Sequence, residues 1–329
     1  MTHNVKKYAV LLLSLCFALS ICGCMGRVIA EDEQLDLPEI DPEDGAIKEL
    51  DVALYYRLAN EEYLVEVNDS VSVRPGESTE AAVIRALTEG SPVPPGFTAP
   101  IPSNASVQSI VYKDDVLYVT LSDGFLNEDI ITSIREEDYL KEKDYNAAVK
   151  AATKEMYLMR RLGVYSIVNT IAGSSEDIKV QVLLETKEGQ ETQIALEQLG
   201  IDDIEGALLG PVGFEESVIA TEDRIAACLF EHMIDGEYDM AHMLVAESRD
   251  AAKPSAEEFE TAMSSLGTVV SYEITDMGSD DNGRYVLANV RIASPTGTVK
   301  RISNAVLYME KESDIYKVGY GSLKKLMES

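Results

Sequence analysis

Cysteine and histidine are the residue types in this chain that could do chemistry at defined positions. The stretch LSICGCMG places Cys22 and Cys24 two residues apart at the end of an apolar run, with Cys16 shortly before them. Such spacing is compatible with a metal site, a redox pair, a disulfide or a segment that is not part of the fold. Cys228 and His232 form a second candidate pair, four residues apart.

The residues before Cys24 favour a signal peptide. A pair of lysines precedes an uncharged run from Tyr8 to Ile21, which suits an h-region and is shorter than the ~20 residues of a spanning helix. The sequence ICGC that ends at Cys24 resembles the lipobox of bacterial lipoproteins, which implies cleavage before Cys24 and lipid attachment to its sulfur. The alternative is an ordinary secretory signal. Lipid attachment leaves Cys228 as the one free thiol, so no intramolecular disulfide is expected.

The pair Cys228 and His232 has two possible roles. Residues at i and i+4 share a helix face, and an imidazole beside a thiol can activate it as a nucleophile. Cys228 also lies beside an apolar stripe that contains Ile225 and Leu229, where a small apolar residue packs well. We therefore expect a buried thiol and a hydrogen-bonded histidine. A ligand pocket lined by Cys228 and His232 is the alternative.

The second half of the chain carries two histidines, His232 and His242. Their spacing matches no common zinc pattern, and the acids between them do not follow the order of an EF-hand loop. The sequence also lacks the nucleophile elbow, the P-loop, the dinucleotide-binding turn and the HExxH motif. The sequence therefore predicts no catalytic residue, no metal site and no cofactor, and we expect the chain not to be an enzyme.

The chain is strongly acidic, with a formal net charge of −30. Such a surface repels phosphate backbones and anionic lipid, so we expect no nucleic-acid partner and no electrostatic docking on membranes. The hydrophobic fraction of 46% is enough to fill ordinary cores. These properties favour folded domains outside the cell that are stabilised without disulfides.

Composition divides the first part of the chain into three segments. Residues 1–23 are the predicted signal peptide, and residues 24–49 are a predicted acidic, proline-containing tether. Residues 50–190 are the predicted first domain, in which alternating apolar runs indicate strands and a 3.6-residue period indicates helices. A long helix is predicted from about Asp144 to Ile171, with Gly163 interrupting it. The run KDDVLYVTLS belongs to a predicted hairpin, with its turn around Lys113, Asp114 and Asp115.

Four stretches of residues 50–190 occur in an order that resembles a known family: VALYYRLANEEYLVEV, AAVIRALTEGSP, IPSNASVQSIVYKDDVLYVTLS and YSIVNTIAGSSEDIKVQVLLE. They resemble the GerM (GerMN) domain of sporulation and spore-germination lipoproteins. The resemblance implies an α+β domain of order ββαββαβ without catalytic residues. It also implies a role in assemblies in which a helix–strand surface packs against neighbours. The hairpin has Asp115 where the family usually has glycine.

The rest of the chain reads as a connecting segment, residues 191–217, and a second α+β domain, residues 218–329. Three predicted helices come first, and the strand-like runs VVSYEITDMG, GRYVLANVRIA, VKRISNAVLYMEK and IYKVGY follow with turn residues between them. Helices followed by an antiparallel meander place the helices on one face of the sheet. This order resembles the cone-shaped NTF2-like domains.

Together these patterns predict an extracytoplasmic lipoprotein, held at the cell membrane by lipid on Cys24. We expect a structural or assembly component of the bacterial cell envelope, and the resemblance suggests sporulation or germination as its process. Its expected partners are the membrane, through the lipid, and envelope proteins or further copies of itself. The alternative is a ligand-binding lipoprotein that uses a pocket of the NTF2-like domain.

Overall fold

The computed structural model describes residues 47–58, 61–90, 96–126, 145–173, 177–201, 206–312 and 315–329, all of which lie in one compact unit. The predicted signal peptide, Cys24 and the predicted tether as far as residue 46 lie outside the described residues. Among the helices in the described part of the chain, none combines the length and the apolar character needed to cross a membrane.

The first sheet is built from strands β1 (Lys48–Leu58), β2 (Leu64–Val73) and β3 (Phe97–Thr98), in the order β2-β1-β3. β1 therefore begins inside the last residues assigned to the tether. Helix α1 (Thr79–Arg85) follows β2 and continues into a π turn, Ala86–Gly90. Ser78 caps the helix, because its side chain accepts a hydrogen bond from the Ala81 amide at 3.2 Å.

The second sheet has the order β4-β5-β6-β7. Its first two strands, β4 (Val107–Lys113) and β5 (Val116–Leu121), form the predicted hairpin, with Asp114 and Asp115 at φ values of +52° and +61°. Two positive φ values in a two-residue turn match the twist of a hairpin. β6 (Lys179–Glu185) pairs with β5 in parallel, and β7 (Glu191–Gln193) pairs with β6 in the antiparallel direction.

The crossover between β5 and β6 contains helix α2 (Tyr145–Ala172), which runs without a break. The predicted interruption at Gly163 is wrong. A Cβ atom at this position would lie 2.8 Å from the Pro100 carbonyl oxygen and 3.0 Å from the Phe125 ring. Gly163 therefore lets the helix approach a backbone carbonyl and a buried ring, and the helix tolerates it because its C-terminal half is buried.

The segment predicted as the connection, residues 191–217, packs against the second sheet. It supplies β7, and Val212 forms an isolated antiparallel bridge with Val180 of β6. The side chain of Asn169 on α2 exchanges two hydrogen bonds with the backbone of Glu215, at 2.8 and 3.0 Å. These contacts hold the segment to the first part of the chain.

The C-terminal part begins with helices, and an antiparallel meander follows them, as predicted. Its elements are α3 (Glu222–Asp235), α4 (Tyr238–Met243), β8 (Val245–Ala246), α5 (Ala256–Leu266), β9 (Thr268–Asp280), β10 (Gly283–Ala293), β11 (Val299–Glu312), β12 (Ile315–Gly319) and α6 (Tyr320–Glu328). The strand order is β8-β12-β11-β10-β9, antiparallel except for β8 beside β12.

Two elements of this part were not predicted from the sequence, the two-residue strand β8 and the helix α6. The predicted strand IYKVGY ends at Gly319, and Tyr320 starts the helix. Leu323, Leu326 and Met327 of α6 are buried in the core that the helices α3 and α5 share with the sheet. The helix has nine residues and Gly321 in its first turn, so its apolar period gave little signal.

Candidate functional site

Lipid attachment to Cys24 remains a prediction, because Cys24 lies outside the described residues. Of the residues named from the sequence, Cys228 and His232 can be located. Both lie on α3, whose apolar stripe faces the C-terminal sheet. Cys228 is buried, with 7% of its surface exposed, and His232 is half-buried in the last turn of the helix.

Both ring nitrogens of His232 contact carboxylates. Nε2 lies 2.7 Å from Oε1 of Glu61, and Nδ1 lies 2.8 Å from Oε2 of Glu237. The hydrogen bond to Glu61 is the largest cause that raises the pKa of His232, and the hydrogen bond to Glu237 raises it further. Burial acts in the opposite direction, and the result is a pKa of about 9 instead of 6.5. The imidazole is therefore protonated at neutral pH and donates a hydrogen bond to each carboxylate.

The same environment makes Cys228 a poor nucleophile. Burial raises the pKa of the Cys228 thiol well above its ordinary range, and the charge of Glu61, which accepts a hydrogen bond from the thiol, raises it further. A reactive cysteine needs the opposite, a partly exposed thiol beside positive charge. Because His232 donates both of its protons to carboxylates, it has no free nitrogen to accept the thiol proton.

This cluster joins the two parts of the described chain. Glu61 lies between β1 and β2, 6% exposed, and it is 171 residues from His232 in sequence. The flanking residues Leu58 and Val65 are buried in the same core as α3. The Arg224 guanidinium stacks over the Tyr63 ring at 5.5 Å. Glu61 lies in the turn between β1 and β2, and no local sequence pattern indicates its partner.

The space between α3 and the sheet is filled by side chains. Leu229, Phe230 and Met233 are each no more than 1% exposed, and the Phe230 ring stacks on Tyr272 at 5.2 Å. A cavity of about 640 Å³ lies elsewhere, between β11 and α6. Neither Cys228 nor His232 is among the residues that line it. A ligand pocket lined by these two residues is therefore not favoured.

The second histidine has a separate partner. His242 Nε2 lies 2.9 Å from the Pro254 carbonyl oxygen, and burial lowers the pKa of His242. His232 and His242 thus hydrogen-bond to different groups. In the part of the chain that the structure describes, no three histidine, cysteine or acidic side chains are grouped closely enough to hold a metal ion.

Strand β4 offers a surface of a different kind. It is the outer strand of the second sheet and pairs only with β5 among the described strands. From Val107 to Tyr112 it carries no charge, and Val111 is 53% exposed. Its ladder has one register shift, near its first residue. An uncharged, β-branched strand edge can pair with a strand of another chain.

The outer strand of the C-terminal sheet, β9, is protected against such pairing. Glu273, Asp276 and Asp280 place charges along it, and its ladder with β10 has two register shifts. Charges and bulges are the means by which proteins block edge-to-edge association. The contrast makes β4 the better candidate for an interaction surface.

Comparisons with known proteins relate the first domain to one family. Residues 53–190 match the family Germane, described as sporulation and spore germination. No curated protein matches the chain in sequence. The NTF2-like resemblance of residues 218–329 is not confirmed by any match and stays a prediction.

Two solved structures from Bacillus subtilis are similar to this chain. The first holds the tandem GerMN domains of the sporulation protein GerM, and its sequence is 17% identical to this chain. The alignment covers 78% of this chain and 62% of that chain, with a TM-score of 0.29. The second is the first GerMN domain of GerM, and its sequence is 23% identical to this chain. The alignment covers 44% of this chain and 86% of that chain, with a TM-score of 0.27. This chain thus spans less than two thirds of the tandem structure. At these TM-scores the superpositions are loose, so the family assignment rests on the sequence match.

Proposed function

We propose that the chain, whose residues 53–190 match the Germane family of sporulation and spore germination, is an assembly component of the cell envelope. In this proposal the protein is a lipoprotein, anchored outside the cytoplasmic membrane through lipid on Cys24. It acts by binding, without catalysis, and sporulation or germination is the process that the family indicates. The tether would hold the folded part away from the membrane.

The observation that carries the proposal is that β4 pairs only with β5 among the described strands. The chain has a net charge of −30, so like copies repel one another and most of the surface resists close contact. Val107–Tyr112 form an uncharged strand edge on this acidic protein, and Val111 presents its apolar side chain to solvent. Strand pairing at this edge would join the domain to an envelope protein or to a second copy.

The chemistry of the Cys228 and His232 cluster supports a role without catalysis. The thiol is protonated and buried, and the imidazole is protonated and held between two carboxylates. These groups fix the orientation of β1 and β2 against α3, and they leave no nucleophile or free base. In this proposal the cluster stabilises the contact between the first domain, which contains the β4 edge, and the C-terminal part of the chain.

Substitution of Val111 by lysine tests the β4 edge. The full chain, Val111→Lys and the control Met277→Lys would be captured from membranes of the native host. Met277 is a matched control because it is 54% exposed, on the charged edge strand β9. We expect Val111→Lys to lose the bound protein or the self-association that Met277→Lys retains. Equal capture by both variants would contradict the proposal.

The anchor needs a separate test. Cys24→Ala removes the sulfur that would carry the lipid, and Cys22→Ala is the control because Cys22 would be discarded with the signal peptide. We expect Cys24→Ala to move the protein from the membrane fraction to the soluble fraction and Cys22→Ala to leave it in place. Unchanged fractionation of Cys24→Ala would refute lipid attachment at this residue.

A further inference from the structure

Strand β11 is longer than the strand that follows it. β12 pairs only with Met309–Glu312, so among the described residues no strand lies beside the preceding part of that edge, Val299–Tyr308. Helix α6 contacts β11 at Tyr308, and residues of both elements line the cavity of about 640 Å³. This volume falls within the ~300–1,000 Å³ of sites that bind ligands. We call this space the β11–α6 groove.

The direction of one amide shows which backbone groups of β11 face the groove. The Tyr308 amide donates to Oγ of Ser322 on α6 at 3.1 Å, so it points away from β10. Backbone groups alternate along a strand, and the amide of Val306 therefore lies at the same edge. No contact to the Val306 amide from α6 is found among the described residues. This donor is available to an incoming strand.

The walls of the groove suit apolar side chains of moderate size. Ile302 and Ala305 of β11 line one wall, and Leu326 of α6 lines the other. The Val306 side chain is 42% exposed beside them. The Lys325 ammonium, which also lines the groove, is bound to Asp250 at 2.5 Å. The groove thus combines a strand edge, an apolar lining and a polar rim.

Bases without acidic partners lie at the rim of the groove and at the start of its edge. Arg249 lines the groove and is exposed, and Lys300 and Arg301 are exposed at the start of the free edge. None of these three forms an ion pair within the described part of the chain. Arg301 also lies directly opposite Arg291 in the ladder, and like charges so placed repel each other. In a chain of net charge −30 these bases are complementary to carboxylates of a partner.

We propose that the β11–α6 groove binds an extended peptide segment of a partner protein. The segment adds to the free edge of β11 as a strand, places apolar side chains between β11 and α6, and carries acidic residues toward Arg249, Lys300 and Arg301. Main-chain pairing supplies affinity in this mode, and the side chains that alternate into the groove supply specificity. The inference goes beyond the proposed function, because it involves neither the lipid anchor nor the β4 edge.

The test uses an array of synthetic heptapeptides with blocked ends. Each peptide carries glutamate at both ends and five central residues drawn from valine, isoleucine, threonine, alanine and serine. Binding to the full chain in detergent is measured by fluorescence polarisation. We expect members with Kd values below about 1 mM, the weak end of specific association. We also expect the Val306 amide to exchange its hydrogen more slowly when the tightest peptide is bound.

Two changes test the main-chain pairing. Methylation of alternate peptide amides removes donors and leaves the side chains in place, so the methylated peptide should bind at least about tenfold more weakly. Val306→Pro removes the donor of β11 at an edge position that tolerates proline. It should weaken binding to a similar extent. If Val306→Pro impairs folding, the methylated peptide still tests the main-chain pairing, because it leaves the protein unaltered.

The charge requirement is tested by reversal. Arg249→Glu and Arg301→Glu should each weaken binding about fivefold or more at low salt. Lys187→Glu is the matched control, because it makes the same change of charge at an exposed turn of the first domain. The proposal is overturned if no heptapeptide binds below about 1 mM. It is also overturned if the methylated peptide binds equally well, or if Lys187→Glu weakens binding as much as the groove variants do.

Discussion

The ion pair between His232 and Glu61 makes a specific prediction about stability and pH. His232→Gln keeps a hydrogen-bond donor near Glu61 and removes the titratable charge. The pKa of His232 is about 9 in the folded protein and 6.5 in its ordinary range. At ~1.4 kcal/mol per pKa unit, this difference sets an upper limit of about 3.5 kcal/mol on the stabilisation. Solvent reaches 18% of the side chain, so we expect about 1–2 kcal/mol.

The sign of the effect follows from the direction of the shift. A group whose pKa is raised on folding binds its proton more tightly in the folded state. The stabilisation is therefore complete below about pH 6.5 and is lost as the pH rises to about 9. The Cys228 thiol, whose pKa is raised, adds a further loss above about pH 8.5, its ordinary range. Both proteins share that loss, so the difference between wild type and His232→Gln isolates the imidazole.

Denaturant unfolding at half-unit intervals from pH 6 to pH 9 measures this difference. We expect the free energy of unfolding of the wild type to fall toward that of His232→Gln as the pH rises. His242→Gln is the control, because the lowered pKa of His242 affects stability only as the pH falls below its ordinary range. A constant difference between wild type and His232→Gln across this range would refute the assignment of a charged imidazole at the junction.

Three further predictions concern individual residues. Gly163→Ala should lower the free energy of unfolding by about 1–2 kcal/mol, because the clash with the Pro100 carbonyl exceeds the gain in helix propensity. Gly210→Ala is the control, because nothing lies within 4 Å of a Cβ atom placed there. It should change the free energy of unfolding by less than about 1 kcal/mol. Chemical denaturation of both variants checks this, and equal effects would contradict it. Asp115→Gly should raise stability by about 0.5 kcal/mol and Asp115→Ala should lower it by about 1 kcal/mol, because Asp115 has a φ of +61°. Thermal unfolding shows which variant is more stable. A more stable alanine variant would be inconsistent with the turn. Protein without residues 1–23 and with Cys24→Ala has Cys228 as its single cysteine. This thiol should react with an aromatic disulfide reagent on the order of 100-fold more slowly in the folded protein than in the unfolded protein. Similar rates would refute the burial of the thiol.

Local patterns were sufficient for most of the elements. Alternation predicted β1, β2 and the strands of the meander, and an apolar face predicted α2. The turn at Asp114 and Asp115 was recognisable because aspartate tolerates the left-handed region. These features depend on neighbours within a few residues, which a single sequence displays directly.

Features that depend on distant residues were not predictable in this way. Gly163 resembles a helix breaker until Pro100 and Phe125 are packed against it. Glu61 resembles an ordinary turn residue until the fold places it beside His232, 171 residues away. The β11–α6 groove depends on where β12 ends and α6 begins, and the period of a five-residue strand does not specify that boundary.

The central claim, that this protein binds a partner at the β4 edge, can be tested directly by photo-crosslinking in the native host. A photoreactive amino acid replaces Val111 in the full chain, and a matched protein carries it at Met277, which is equally exposed. The account predicts a discrete crosslinked product from position 111, to a second copy or to an envelope protein, and none from position 277. Crosslinking from position 277 alone, or from neither position in membranes that contain the protein, would contradict the claim.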